Sequence, residues 1–141
     1  MDDSVHAGVF IDLPDAQAYL ALAYLGTGRI GYDYGSIVSA GHACWWYFYH
    51  PGELGEAATG SRKPWEVLPH SRTRIIYPQG VSQSGLGRRG PGDVTGCCFD
   101  AETRRLYLYQ RFVIDDGSRE LQPCVHVYSV KGPVGKPAPP G

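Results

Sequence analysis

Two segments of the chain, 88 positions apart, carry the same order of residue types, and this constrains the fold more than any other feature. GVFIDLPDAQAYLAL begins at Gly8 and GCCFDAETRRLYLYQ begins at Gly96. Gly8 corresponds to Gly96, Asp12 to Asp100, Tyr19 to Tyr107 and Leu20 to Leu108. The shared pattern is a glycine, an apolar strand, an Asp-led turn and a second apolar strand with tyrosine. In the second segment this is a β-hairpin. VTGCCFD is a short strand, DAETRR is a polar turn in which the Asp100 side chain can bond the backbone beyond it, and LYLYQRFV is rich in strand formers. CVHVYSV, residues 124–130, adds a third strand, which makes an antiparallel meander.

The first segment carries a conflict. PDAQAYLALAYLGTG also has helix signals: Asp15 as a cap, Ala and Leu through the middle, Gly26 as a stop. The correspondence with the second segment favours a strand. Tertiary context routinely overrides local propensity, so a strand is the reading adopted. HACWWYFYH, residues 42–50, is a strand by its aromatics. PGELGEAATG predicts one or two helical turns ending at Gly60. PWEVLP and RTRIIYP predict short strands bounded by prolines. QGVSQSGLGRRGPGD, residues 79–93, is a polar glycine-rich loop of the kind that often carries binding function.

Composition agrees with an all-β class: 10 Tyr, 19 Gly and 11 Pro among 141 residues, with 43% apolar residues to supply a core. The length suits one domain. The net charge is -1, and Arg88-Arg89 and Arg104-Arg105 are only short basic pairs, so a nucleic-acid partner is not expected. MDDSVHAG is too acidic for a signal peptide, and no apolar run approaches the roughly 18 residues of a membrane span. The body is expected over 1–130, with 131–141 as a flexible Pro/Gly-rich tail. Cys44, Cys97, Cys98 and Cys124 are too few and too irregular for a disulfide framework; both buried thiols and one or two bridges stay open.

VTGCCFDAETRRLYLYQ followed by CVHVYSV resembles a β-propeller blade. Together with GTGRIGYDYG, WWYFYHPGEL and RKPWEVLP, it looks like the C-terminal portion of a family of uncharacterised bacterial β-propeller-like proteins. The likeness covers most of residues 8–130. It implies antiparallel blade-like sheets, with an 88-residue offset equal to two blades of about 44 residues. Closure takes at least about four blades. The resemblance therefore implies either the closing part of a longer chain, exported if that chain is a secreted propeller, or a homo-oligomer; a small standalone antiparallel sheet or sandwich is the alternative. It supplies no catalytic residue and no cofactor.

Several residues are candidates for function. On a strand, His42, Cys44, Trp46, Phe48 and His50 share one face, while Ala43, Trp45, Tyr47 and Tyr49 share the other. Two bulky faces suit a strand buried between layers. The aromatics Trp45, Trp46, Tyr47, Tyr49 and Trp65 also suit stacking on sugar rings, with Tyr32, Tyr34 and Trp46 expected to be the most exposed. The expected binding set is Tyr32, Asp33, Tyr34, His42 and Trp46, on loops around Gly26–Ser36, His42 and Gly80–Asp93. Asp33, in GYDYG, is the acid best placed for glycoside hydrolysis, which needs two carboxylates flanking a cleft. His42-x-Cys44 and Cys124-x-His126 supply a four-ligand zinc set if their strands adjoin. Cys97-Cys98 faces opposite ways on a strand and lacks redox spacing. GTGRIG lacks the spacing of a phosphate loop, and no Gly-x-Ser-x-Gly elbow is present. The primary expectation is a non-catalytic binding or scaffold module for a glycan or protein ligand. A glycan hydrolase and a zinc-stabilised domain are the alternatives.

Overall fold

The structure, a computed structural model, describes the backbone of residues 4–33, 36–77, 94–114 and 122–131, and the side chains among them except at 28–33, 36–42 and 111–114. In chain order the elements are β1 (Ser4–Leu13), β2 (Ala16–Asp33), β3 (Ser36–Tyr49), α1 (Pro51–Ala58), a short 3-10 helix (Pro64–Glu66), β4 (Ser71–Ile75), β5 (Val94–Asp100), β6 (Arg105–Ile114) and β7 (Gln122–Ser129). The strands form two antiparallel sheets, ordered β1-β2-β3-β4 and β5-β6-β7, and neither closes on itself. The chain is thus all-β and antiparallel, as expected.

The contested first segment is a strand. Over Tyr19–Tyr24, β2 pairs with β1 on one side and β3 on the other, so both rows of backbone groups there are satisfied by neighbours. Leu20, Leu22 and Tyr24 point into the core, while Ala21 and Ala23 point to the outer face. The two hairpins have matching registers: Gly8 pairs with Ala21 as Gly96 pairs with Tyr109, and Val9 with Leu20 as Cys97 with Leu108. Gly8 is required by close approach, since a Cβ there would overlap the Tyr19 hydroxyl and meet Leu20 O at 3.2 Å.

The turns follow local chemistry. Asp100 Oδ1 accepts from the backbone N–H of Glu102 (3.0 Å) and Thr103 (3.4 Å), as its place in the sequence implied. Arg104 then takes a left-handed conformation (φ 53), and its guanidinium forms two bonds, 3.0 and 2.9 Å, to Asp15 in the β1–β2 turn. That fork ties the two hairpin tips together and holds the Asp15 carboxyl below its ordinary pKa. α1 starts at Pro51, whose fixed φ suits a first turn, and its end is followed by Gly60 at φ 80.

Two expected features differ. PWEVLP is not a strand: Pro64 opens a 3-10 turn in which Glu66 N–H donates to Lys63 O at 2.9 Å and Glu66 Oε2 accepts from Lys63 N–H at 3.3 Å. Proline at a first helical position competes here with the strand formers after it. The Gly26–Ser36 segment is not a loop up to Asp33 either. It continues β2, with Ile30 opposite Ser39 and Asp33 opposite Ser36, after a register shift between Thr27 and Ile30.

One core joins the sheets. Ile11, Leu13, Leu20, Leu22, Tyr24, Cys44 and Trp46 meet Tyr77, Val94, Leu106 and Leu108. β1 runs beside β5, and the Tyr24 hydroxyl accepts from the buried Val94 N–H at 3.1 Å. Tyr24→Phe is expected to lower stability by about 1–3 kcal/mol, because it leaves that N–H without its acceptor. Chemical denaturation of both proteins measures it, and an unchanged midpoint would show that water or backbone replaces the hydroxyl.

Candidate functional site

Strand alternation sorts the aromatics of HACWWYFYH onto two faces with different fates. Cys44, Trp46 and Phe48 face the core. Trp46, expected to be exposed, is only 9% exposed, and its Nε1–H donates to the Tyr77 hydroxyl at 3.2 Å. The Tyr128 ring meets it edge-on at 5.1 Å. Trp46 is therefore a core residue. It points inward because Leu22, opposite it on β2, is on the core face of its own strand.

Trp45, Tyr47 and Tyr49 occupy the outer face, each half-buried. Trp45 and Tyr47 lie side by side with ring centroids 6.4 Å apart and planes 29° apart. The row continues across the sheet: Tyr49 is opposite Tyr19, which packs against Phe10 at 4.9 Å. Beneath Tyr47 and Trp45, the neighbouring strand places only Ala21 and Ala23. These small residues are buried by the rings that overhang them. On the other side, β4 sets Arg72 opposite Tyr47 and Arg74 opposite Trp45. The Arg72 guanidinium lies 5.5 Å from the Trp45 ring centroid, a cation–π contact that fixes its position.

The result is a bent row of five rings, Trp45, Tyr47 and Tyr49 along β3 and then Tyr19 and Phe10 across β2 and β1, with two arginines beside its Trp45–Tyr47 end. Burial, helped by Tyr47 and Tyr19 nearby, raises the Tyr49 pKa, so its phenol stays protonated and able to donate at neutral pH. At the Phe10 end an open cleft of about 220 Å³ is lined by Phe10, Ile11, Asp12, Gln17 and Pro51. Gln17 Nε2 donates to Asp12 Oδ1 there at 2.7 Å. Trp65 is 74% exposed but sits on the 3-10 helix, with Lys63 Nζ 5.7 Å from its ring, and not on the sheet.

Of the other expected site residues, Asp33, Tyr32 and His42 lie on the β2–β3 ribbon with side chains outside the described part. Tyr34 and the Gly80–Asp93 loop lie outside the described residues altogether. The zinc set is divided between sheets, Cys44 on β3 and Cys124 and His126 on β7. His126 Nε2–H donates to the fully buried Gln110 Oε1 at 2.7 Å. Among the described residues, no group of three or more His, Cys, Asp or Glu side chains is placed to hold a metal. All four cysteines are thiols.

The inner polar groups stay neutral. Burial pushes the Tyr77 phenol up to about 12 and the Cys97 thiol above its ordinary value. It pushes His126 below 6.5. Burial also lowers His70, as does the charge of His50, whose ring stacks on it at 4.2 Å; Glu53 opposes the shift. For a histidine with a depressed folded pKa, the unfolded chain takes up the proton first as pH falls. Stability is therefore full above about pH 6.5 and declines as pH drops through 6.5 towards the folded values. Melting temperatures measured from pH 7.5 to 5 should fall, and His126→Gln should flatten the decline. An unaltered slope would remove His126 as a contributor.

Arg72, Arg74, Tyr19 and Phe10 were not apparent as site residues in the sequence. Strand alternation within RTRI would have placed both arginines on one face, but which face depends on the pairing of β4 with β3. Compared with protein-family models, with curated proteins and with solved structures, the chain matches none of them.

Proposed function

We propose that the chain is a non-catalytic binding module whose ligand is a glycan held on the outer face of the four-stranded sheet. The observation that carries this reading is the row of half-exposed rings on Trp45, Tyr47, Tyr49 and Tyr19 beside two arginines. Sugar rings present apolar faces that stack on aromatic rings and hydroxyls that bond to phenols and guanidinium groups. A rigid sheet holds such rings at a low cost in side-chain ordering, since tyrosine and tryptophan have only two rotatable side-chain bonds. The buried Trp46–Tyr77, Tyr24–Val94 and His126–Gln110 pairs on the inner face suit stability more than proton transfer.

The scaffold reading takes a particular form. Val9 and Leu20 in the first hairpin, and their counterparts Cys97 and Leu108 in the second, all face the shared core. Blades related by rotation about a common axis meet through unlike faces, whereas corresponding faces meet in this chain. That arrangement favours two layers closed on one core, and leaves the outer face of the four-stranded sheet for a ligand.

A printed glycan array tests the function. The wild-type chain is expected to bind a subset of oligosaccharides, and Trp45→Ala with Tyr47→Ala is expected to lose them while keeping the melting transition. Binding that survives the double substitution, or no binding by the wild type, would overturn the reading.

A further inference from the structure

We infer that the glycan is acidic, and that Arg72 and Arg74 read the carboxylate of a uronic acid. This rests on the proposed glycan site and adds the chemical class of its ligand. The arginines are alternate residues of β4, so their side chains leave the same face of the sheet, with Cα atoms about 7 Å apart. Their cross-strand partners are Tyr47 and Trp45, the end of the aromatic row. Both are exposed.

Charge complementarity specifies the ligand. Among the described residues, no carboxylate forms an ion pair with either arginine. The acids of the nearby helix are already engaged: Arg62 pairs with Glu56 at 2.7 Å and with Glu53 at 3.5 Å. Asp12, on the same face as the row, is at its opposite end and accepts from Gln17. Two guanidinium groups, neither ion-paired among the described residues, thus lie at one end of a stacking surface, and one of them is held in place by its contact with Trp45. A guanidinium presents a planar fork of N–H donors that matches the two oxygens of a carboxylate. A uronic acid offers both halves of this site: a ring to stack on Tyr47 and Tyr49, and a carboxylate for the fork.

A single-stranded nucleic acid also stacks on aromatic rings. It carries a phosphate at every nucleotide and draws most of its affinity from many cationic contacts. Two arginines on a chain of net charge -1 supply few of these. The balance of many rings to few charges favours a sugar with a carboxylate.

The test uses calorimetric titration of the full chain with tetrasaccharides of galacturonic acid and of alternating glucuronic acid, each beside its methyl ester. The ester keeps the ring and removes the charge. At least one acid is expected to bind about tenfold or more tightly than its ester. Arg72→Gln with Arg74→Gln should abolish that difference, weakening the acid about tenfold more than the ester, with an unchanged melting temperature as the folding control. Equal binding of acid and ester would overturn this inference while leaving the glycan reading standing. No binding of any of the four would overturn the inference, and the array decides the broader reading. Tighter binding of an oligothymidylate than of either acid would replace the sugar with a nucleic acid and overturn both.

Discussion

Trp46→Ala is expected to cost about 3–5 kcal/mol of folding stability, the range for removing a buried aromatic side chain. Three observations set that size. Trp46 is 9% exposed, its indole N–H is bonded to Tyr77, and its ring packs edge-on against Tyr128 of the other sheet. Truncation therefore opens a cavity between the sheets and leaves the Tyr77 hydroxyl without its donor. Trp45, one residue earlier, gives the comparison. It faces outward and is half-buried, so Trp45→Ala should cost about 1 kcal/mol, near the centre of ordinary substitutions. Denaturant titrations of both variants measure the difference. Equal losses would mean that β3 is covered on both faces alike, and that the outer rings belong to a second core.

Leu108→Ala is expected to cost about 2–5 kcal/mol. Leu108 is fully buried on β6 between Cys97 and His126, and Leu20 is its fully buried counterpart on β2. The two leucines belong to one cluster that spans both sheets. If their losses add, the double variant forfeits about 4–10 kcal/mol, against a typical total of about 5–15 kcal/mol for a domain. The double variant should be largely unfolded at room temperature, and each single variant should melt in one transition seen alike by near-ultraviolet and far-ultraviolet circular dichroism. Two separate transitions in a single variant would show that the sheets fold independently.

The sequence carried most of the strand order and little of the site. The hairpins were legible because glycine, Asp-turn and tyrosine recur at matching positions, and Asp100 turned the chain by the local bonding its residue type allows. The strand in PDAQAYLALAYLGTG was legible from a second signal: Leu20, Ala21, Leu22, Ala23 and Tyr24 alternate large and small, a period of two and not of 3.6. The small positions make sense only in the sheet, where Tyr47 and Trp45 overhang them. The 3-10 turn at Pro64 was missed because strand-forming Trp65 and Val67 outweighed a proline whose effect is purely local. The site was missed for a different reason. Alternation separates Trp45 from Trp46 but does not say which faces the core; that depends on long-range pairing with Leu22 and on the second sheet. Arg72 and Arg74 acquire meaning only through their register with β3.

The central claim is that neighbouring tryptophans have opposite roles, Trp46 in the core and Trp45 at the ligand. The most direct measurement follows the three tryptophan indole N–H signals by two-dimensional NMR while the best oligosaccharide from the array is added. The account predicts that the Trp45 signal moves with saturation and the Trp46 signal stays, held by Tyr77 away from the ligand face. A moving Trp46 signal beside a static Trp45 signal would contradict it, and would place the ligand between the sheets.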